Sequence, residues 1–129
     1  MSGEREFLAR LRGRLPQPPA GQTWVGDDAA VLEGGLLVAT DALVADVHFD
    51  LAWCRPEDVG WKALVVNLSD LAAMAGSPSV AVAALVVPPA PAGLADAVMA
   101  GTSEAAEAFG CPLVGGDTTG GRPSWWPWP

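Results

Sequence analysis

The sequence predicts a mixed α/β (α+β) chain, and three observations carry that reading. Helical periodicity over residues 4–14, 56–75 and 92–109 alternates with short runs rich in Val, Ala and Leu. Half of the 129 residues are hydrophobic and only 17% are charged, the composition of a packed domain and not of a disordered one. Gly and Pro clusters fall between the periodic runs, where turns are needed. A chain of this length can bury a real core as one domain.

The first helix covers residues 4–14. Ser2 is placed to cap it, and Phe7, Leu8, Leu11 and Leu15 share one face. The Pro/Gly-rich residues 16–21 break it. Residues 29–32 and 36–40 read as two strands, with Glu33-Gly34-Gly35 as the hairpin turn between them. Residues 42–54 form a longer irregular stretch that holds the one histidine, His48. Pro56 suits the first turn of a second helix, and Glu57 and Asp58 follow where the helix dipole favours acids. That helix runs to about residue 75, with Gly76 and Pro78 as its stop. Its apolar rows on most sides predict a buried helix, from which Asn67 and Asp70 need polar partners. Residues 79–87 read as a strand covered on both faces. A third helix over residues 92–109 ends at Gly110, and Leu113-Val114 feeds a Gly-rich loop over residues 115–121.

The formal net charge is −8, with six Arg and a single Lys, Lys62. Such a chain lacks the basic patches of a general nucleic-acid binder. A phosphate ligand is compatible with it only if cations intervene. Cys54 and Cys111 have no metal-type spacing and read as free thiols, with a disulfide as the lesser alternative. No apolar h-region opens the chain, and the apolar run at residues 80–87 is too short to span a bilayer. The expectation is a soluble, cytoplasmic protein with no membrane partner.

Four acidic clusters lie at element boundaries: Gly26-Asp27-Asp28, Thr40-Asp41, Asn67-Leu68-Ser69-Asp70 and Gly115-Gly116-Asp117-Thr118-Thr119. Carboxylates flanked by small and hydroxylated residues provide the hard oxygen ligands that divalent cations take. Each also has a structural reading. Asp28 fits a turn, Thr40-Asp41 an Asx turn at a strand end, Asp70 a solvated helix edge and Gly115 to Asp117 a tight turn. An antiparallel hairpin brings the first two clusters to one end. His48 is open between a structural hydrogen-bonding role and a ligand role. Trp24, Trp53, Trp61 and Met74 read as core or interface residues, and Lys62 as a helix-surface charge outside the site.

Taken in order and spacing, four stretches resemble the thiamine-monophosphate kinase family of the aminoimidazole-ribonucleotide-synthetase-like superfamily. They are residues 26–31, residues 40–44 with His48-Phe49, residues 62–74 and residues 115–119. The resemblance covers nearly all of residues 4–121, and the long stretch from Lys62 to Met74 is its most specific part. It implies an N-terminal α/β domain with a mixed sheet and packed helices, pairing with a second subunit through its strands. It also implies ATP-dependent phosphorylation of thiamine monophosphate to thiamine diphosphate. Asp28, Thr40, Asp41, Asp70 and Asp117 would hold several Mg²⁺ ions. Gly116 and Asp117 would line the ATP phosphates, and His48 would touch the thiamine phosphate. Ala39 stands where the family often has Ser, so a metal ligand there would be a backbone carbonyl.

Phosphoryl transfer asks for positioning and charge neutralisation more than for covalent chemistry. The chain has no Walker-type loop, no general base stands out, and no residue is assigned a catalytic role. Residues 122–129, rich in Trp and Pro, do not fit what precedes them. They are expected to be an atypical tail on a truncated or frameshifted product that lacks the family's C-terminal domain. Two alternatives stand beside the kinase: another enzyme of the superfamily, or a non-catalytic module for dimerisation or nucleotide binding.

Overall fold

A computed structural model describes residues 3–89 and 91–121. Ser2 as a cap and the tail at residues 122–129 lie outside the described residues. The chain divides into two compact units, residues 1–40 with 69–77, and residues 41–68 with 78–129.

In the first unit, helix α1 spans Glu4–Arg12, two residues shorter than predicted, with Gly3 before it. Acids in its first turn and arginines in its last complement the helix dipole. Leu8 and Leu11 are half-buried, while Phe7 and Leu15 remain exposed. Strands β1 (Ala30–Val31) and β2 (Leu37–Val38) pair antiparallel, Ala30 with Val38 and Val31 with Leu37. The Glu33–Gly35 turn is a single 3₁₀ turn with Gly34 at φ 73° and Gly35 at φ 80°. Two successive left-handed residues are the reason both are glycine.

Helix α2 spans Pro56–Ala73. Its start is a capping box in reduced form. Pro56 takes the first helical position, and Asp58 Oδ2 accepts the Arg55 backbone N–H at 2.9 Å. The Arg55 N–H and side chain hold the Asp58 carboxyl below the usual carboxylate range. The C-terminal end of α2, in the first unit, closes as a Schellman motif. Gly76 N–H donates to the Leu71 carbonyl at 2.8 Å, and Ala75 N–H to the Ala72 carbonyl at 2.9 Å. The left-handed position in that motif is Ala75, at φ 56°, and not the adjacent glycine. Gly76 instead gives room to the Leu37 side chain, whose terminal methyl would have to shift if a Cβ were added there.

The second unit packs α2 against α3 (Leu94–Phe109). The two helices meet backbone to backbone: a Cβ on Gly60 would strike the Val98 carbonyl, and one on Gly101 the Glu57 carbonyl. The buried Thr102 hydroxyl lies 3.1 Å from both the Gly60 and Val98 carbonyl oxygens and shares its one proton between them. Beside this crossing Leu64, Ala105, Ala106 and Cys111 form the core, with Val65, Leu68 and Ala81 against it. Gly110, at φ 62°, ends α3 as predicted, and the Cys111 N–H donates to the Ala106 carbonyl. Burial pushes the Cys111 thiol up, and both cysteines are free.

Strands β3 (Ala81–Val87) and β4 (Leu113–Gly120) pair in parallel. Here the structure differs from the sequence reading in two ways. The Gly-rich segment after Leu113-Val114 is strand as far as Gly120 and not a loop, because its backbone groups pair along β3. Gly116, at φ 150°, lies so close to Ala83 that no side chain fits. Strand β3 is also not covered on both faces. Its residues alternate, with Val82 and Val86 exposed at 72% and 71%. A continuous apolar run does not distinguish a strand buried on both sides from one with a bare apolar face. Helix α2 is likewise less buried than predicted: only Val59, Gly60 and Leu64 are fully enclosed.

Two outcomes follow from this packing. Ala75→Gly relieves a left-handed alanine and should stabilise the chain by about 1 kcal/mol, read from urea midpoints. Gly101→Ala overpacks a backbone contact and should destabilise it by about 1–3 kcal/mol. At mildly alkaline pH a disulfide reagent should modify Cys54 quickly and Cys111 only at the rate of unfolding. The folded state holds the Cys111 proton more tightly than the unfolded one, so that stability contribution is present at neutral pH. It is lost as pH rises through the thiol range.

Candidate functional site

In the first unit, Gly26 adopts φ 126°, and a Cβ there would collide with the Arg12 guanidinium of α1. The turn therefore needs glycine before its two aspartates. Asp27 Oδ1 accepts the Asp28 N–H at 3.0 Å, so Asp27 stabilises the turn, and Asp28 stays exposed. Asp28 precedes β1 and Thr40 follows β2. The antiparallel register puts both at the same end of the hairpin, as the sequence predicts. An open depression of about 330 Å³ is lined by Arg12, Gln22, Trp24, Gly26 and Asp27, with neither Asp28 nor Thr40 in its wall. Asp70, on the last turns of α2, is half-buried.

In the second unit, Asp41 is exposed, and its carboxylate accepts the N–H of the next residue, Ala42, at 2.8 Å, not the N–H two residues on that an Asx turn uses. Asp117 is an exposed residue of β4 opposite Ala84, directly after Gly116. Thr119 Oγ1 lies 3.4 Å from its carboxylate. Asn67 meets its need for a partner locally, donating to the Ala63 carbonyl at 2.8 Å. Only Arg55–Asp58 forms an ion pair among the described residues, so none of the five predicted metal ligands is neutralised by Arg or Lys there.

His48 sits in a turn closed by its own backbone N–H and that of Val47, both donating to the Val44 carbonyl. Asp46 N–H donates to the Phe49 carbonyl, with Asp46 at φ 63°. The Val44 N–H donates to His48 Nδ1 at 2.9 Å. Nδ1 is therefore the acceptor, and Nε2 carries the proton of the neutral ring. Lys62 Nζ, from α2, donates to the His48 carbonyl at 2.7 Å. His48, Asp50, Trp53, Cys54 and Lys62 line a depression of about 230 Å³. Trp53 is 89% exposed at its rim, so it is not a core residue. Trp61 packs edge-on against Phe109 at 5.9 Å.

The sequence reading left Lys62 and Trp53 out of any site. The available signal for Lys62 was its being the one lysine of an acidic chain, on a helix that follows the histidine loop.

Among the described residues no three His, Cys, Asp or Glu side chains gather into a group that could hold a metal ion. The donor chemistry of Asp28, Thr40, Asp41, Asp70 and Asp117 is still that of a hard cation: oxygen ligands free of competing cations. Mg²⁺ commonly takes one or two carboxylates and completes its shell with water and phosphate oxygens, and residues of this kind fit that role.

Comparison with known proteins adds the family. The chain is 42% identical over 99 residues to the thiamine-monophosphate kinase of Bacillus subtilis, spanning 73% of this chain and 30% of that one. It is 41% identical over 120 residues to that of Mycobacterium tuberculosis, spanning 89% and 36%. The chain thus spans about a third of the length of these curated relatives. Among solved structures, AaThiL complexed with AMPPCP and TMP matches with a TM-score of 0.83 at 32% identity, over 93% of this chain and 38% of that one. The thiamine monophosphate kinase of Stenotrophomonas maltophilia matches with a TM-score of 0.61 at 38% identity, over 92% and 39%. Residues 26–125 match the family described as AIR synthase related protein, N-terminal domain, and the chain belongs to that family.

Proposed function

We propose that this chain is the nucleotide- and metal-binding part of a kinase that transfers the γ-phosphoryl group of ATP to thiamine monophosphate, giving thiamine diphosphate. The observation that carries the reading is the match over 93% of the chain to a structure complexed with AMPPCP and TMP. The sequences of relatives named thiamine-monophosphate kinase support it.

In this reading Asp28, Thr40, Asp41, Asp70 and Asp117 hold Mg²⁺. Bound Mg²⁺ supplies the positive charge that lets two phosphorylated reactants approach one another. A chain of net charge −8 repels a polyphosphate by itself, so the carboxylates need that cation. Gly116 lends an exposed, side-chain-free backbone to the ATP phosphates. Asp117 beside it serves nucleotide and metal together. His48 offers its Nε2–H to the thiamine phosphate, which requires a donor and not a base. No residue is needed to remove a proton, because the attacking phosphate oxygen is already ionised.

The partner in this reading is a second copy of the chain. Val82 and Val86 of β3 are exposed apolar side chains, and covering them with a symmetry mate removes that surface from water; Asp117 and Thr119, which the register puts on the same face, stay outside such a contact. No described helix is long and apolar enough to cross a membrane, and a cytoplasmic location suits both substrates.

Calorimetry tests the site. ATP should bind only with millimolar Mg²⁺ present, and Asp117→Asn should weaken that binding by about tenfold or more. Absence of Mg²⁺-dependent binding heat would overturn the metal and nucleotide reading.

A further inference from the structure

We infer that Lys62 is the positioning residue for His48: its ammonium clamps the histidine's own carbonyl, holding the Val44–Phe49 turn so that the imidazole presents Nε2–H to an anionic phosphate oxygen. The inference rests on the proposed contact between His48 and the thiamine phosphate.

The residues that carry it are all in the second unit. The turn around His48 lies in an irregular stretch, and Ala45 and Phe49 make only an isolated bridge. Asp46 sits at φ 63°, a conformation Asp tolerates but does not prefer. The turn's internal bonds are short-range and exposed, so by themselves they hold a ring weakly. Among the described residues, the bond from Lys62 Nζ to the His48 carbonyl is the one side-chain hydrogen bond from α2 to this turn, across 14 positions. A charged donor at 2.7 Å makes a stronger bond than a neutral one.

The anchor at the other end is firm. Lys62 follows Gly60, which is locked against α3 by the Val98 contact and the Thr102 hydroxyl. The clamp therefore ties a mobile type of segment to the most constrained part of the unit. Its chemical consequence is the tautomer. With the carbonyl held, Nδ1 stays under the Val44 N–H at 2.9 Å, and the proton is left on Nε2. Lys62 need not touch the phosphate itself. Asp50 and Asp58 line the same depression and offset its charge there.

The test uses the fact that His48 and Lys62 are the only residues of their types. Long-range ¹H–¹⁵N spectra of the tag-free chain at alkaline pH report the tautomer of His48 without assignment. The wild-type chain should show two well-separated ring-nitrogen signals, with the proton on Nε2. Lys62→Met, with amide dispersion retained, should move these signals toward one another as the tautomers mix, and Lys62→Arg should restore the separation. If Lys62→Met does not fold, acetylating the sole lysine of the folded wild-type chain makes the same test. An unchanged Nε2–H pattern in either modified chain overturns the clamp, as does an Nδ1–H tautomer in the wild type. Titration with thiamine monophosphate and Mg²⁺ separates the two readings. Ring signals that depend on Lys62 but ignore the ligand uphold the clamp and overturn the substrate contact.

Discussion

Two helices of the second unit approach until their backbones touch. Gly60 of α2 and Gly101 of α3 each face a carbonyl of the other helix where any Cβ would collide, and Thr102 fills the remaining polar need between them. Most helix pairs are held apart by side chains at 8–10 Å. Here the absence of two side chains sets the distance, and the features around it inherit that spacing. Leu64 reaches Ala105, Ala106 and Cys111 because the helices are close. Lys62, two residues after Gly60, stands where its ammonium meets the His48 carbonyl. The buried thiol at the foot of α3 completes the same core.

Charge is the second constraint. An acidic chain proposed to handle two phosphorylated substrates has to leave its carboxylates unspent for cations. Arg55 takes Asp58 at the start of α2, and Lys62 is spent on a carbonyl. The aspartates of the four clusters keep local backbone contacts or solvent. That distribution leaves them outside the ion pairing seen among the described residues, and exposed ion pairs would have added little stability in any case.

Much of the fold was legible in the sequence because the signals were local. The helices α1, α2 and α3 follow from apolar spacing, Pro56 from the geometry of a first helical turn, and Gly34-Gly35 and Gly110 from left-handed backbone. The differences arise where local signals are ambiguous. Gly76 looked like the left-handed cap, but Ala75 takes that conformation and Gly76 makes room for Leu37. The glycines after Val114 looked like a loop, since nothing local tells a loop from a strand whose partner needs close approach. Strand β3 looked buried on both faces because apolar runs state affinity for a neighbour without saying whether one is there.

The sequence by itself determined the family, through the order and spacing of its motifs, and it marked the residues proposed for the chemistry: Asp28, Thr40, Asp41, Asp70, Asp117, Gly116 and His48. Backbone preference, periodicity and ligand type are properties of a few neighbouring residues, so one dimension is enough to read them. Tertiary structure alone decided that Gly60 and Gly101 are contact residues, that Gly116 serves a strand, and that a lysine 14 positions away holds the histidine. Those depend on which backbone lies across the gap, a relation between distant parts of the chain that no local pattern encodes.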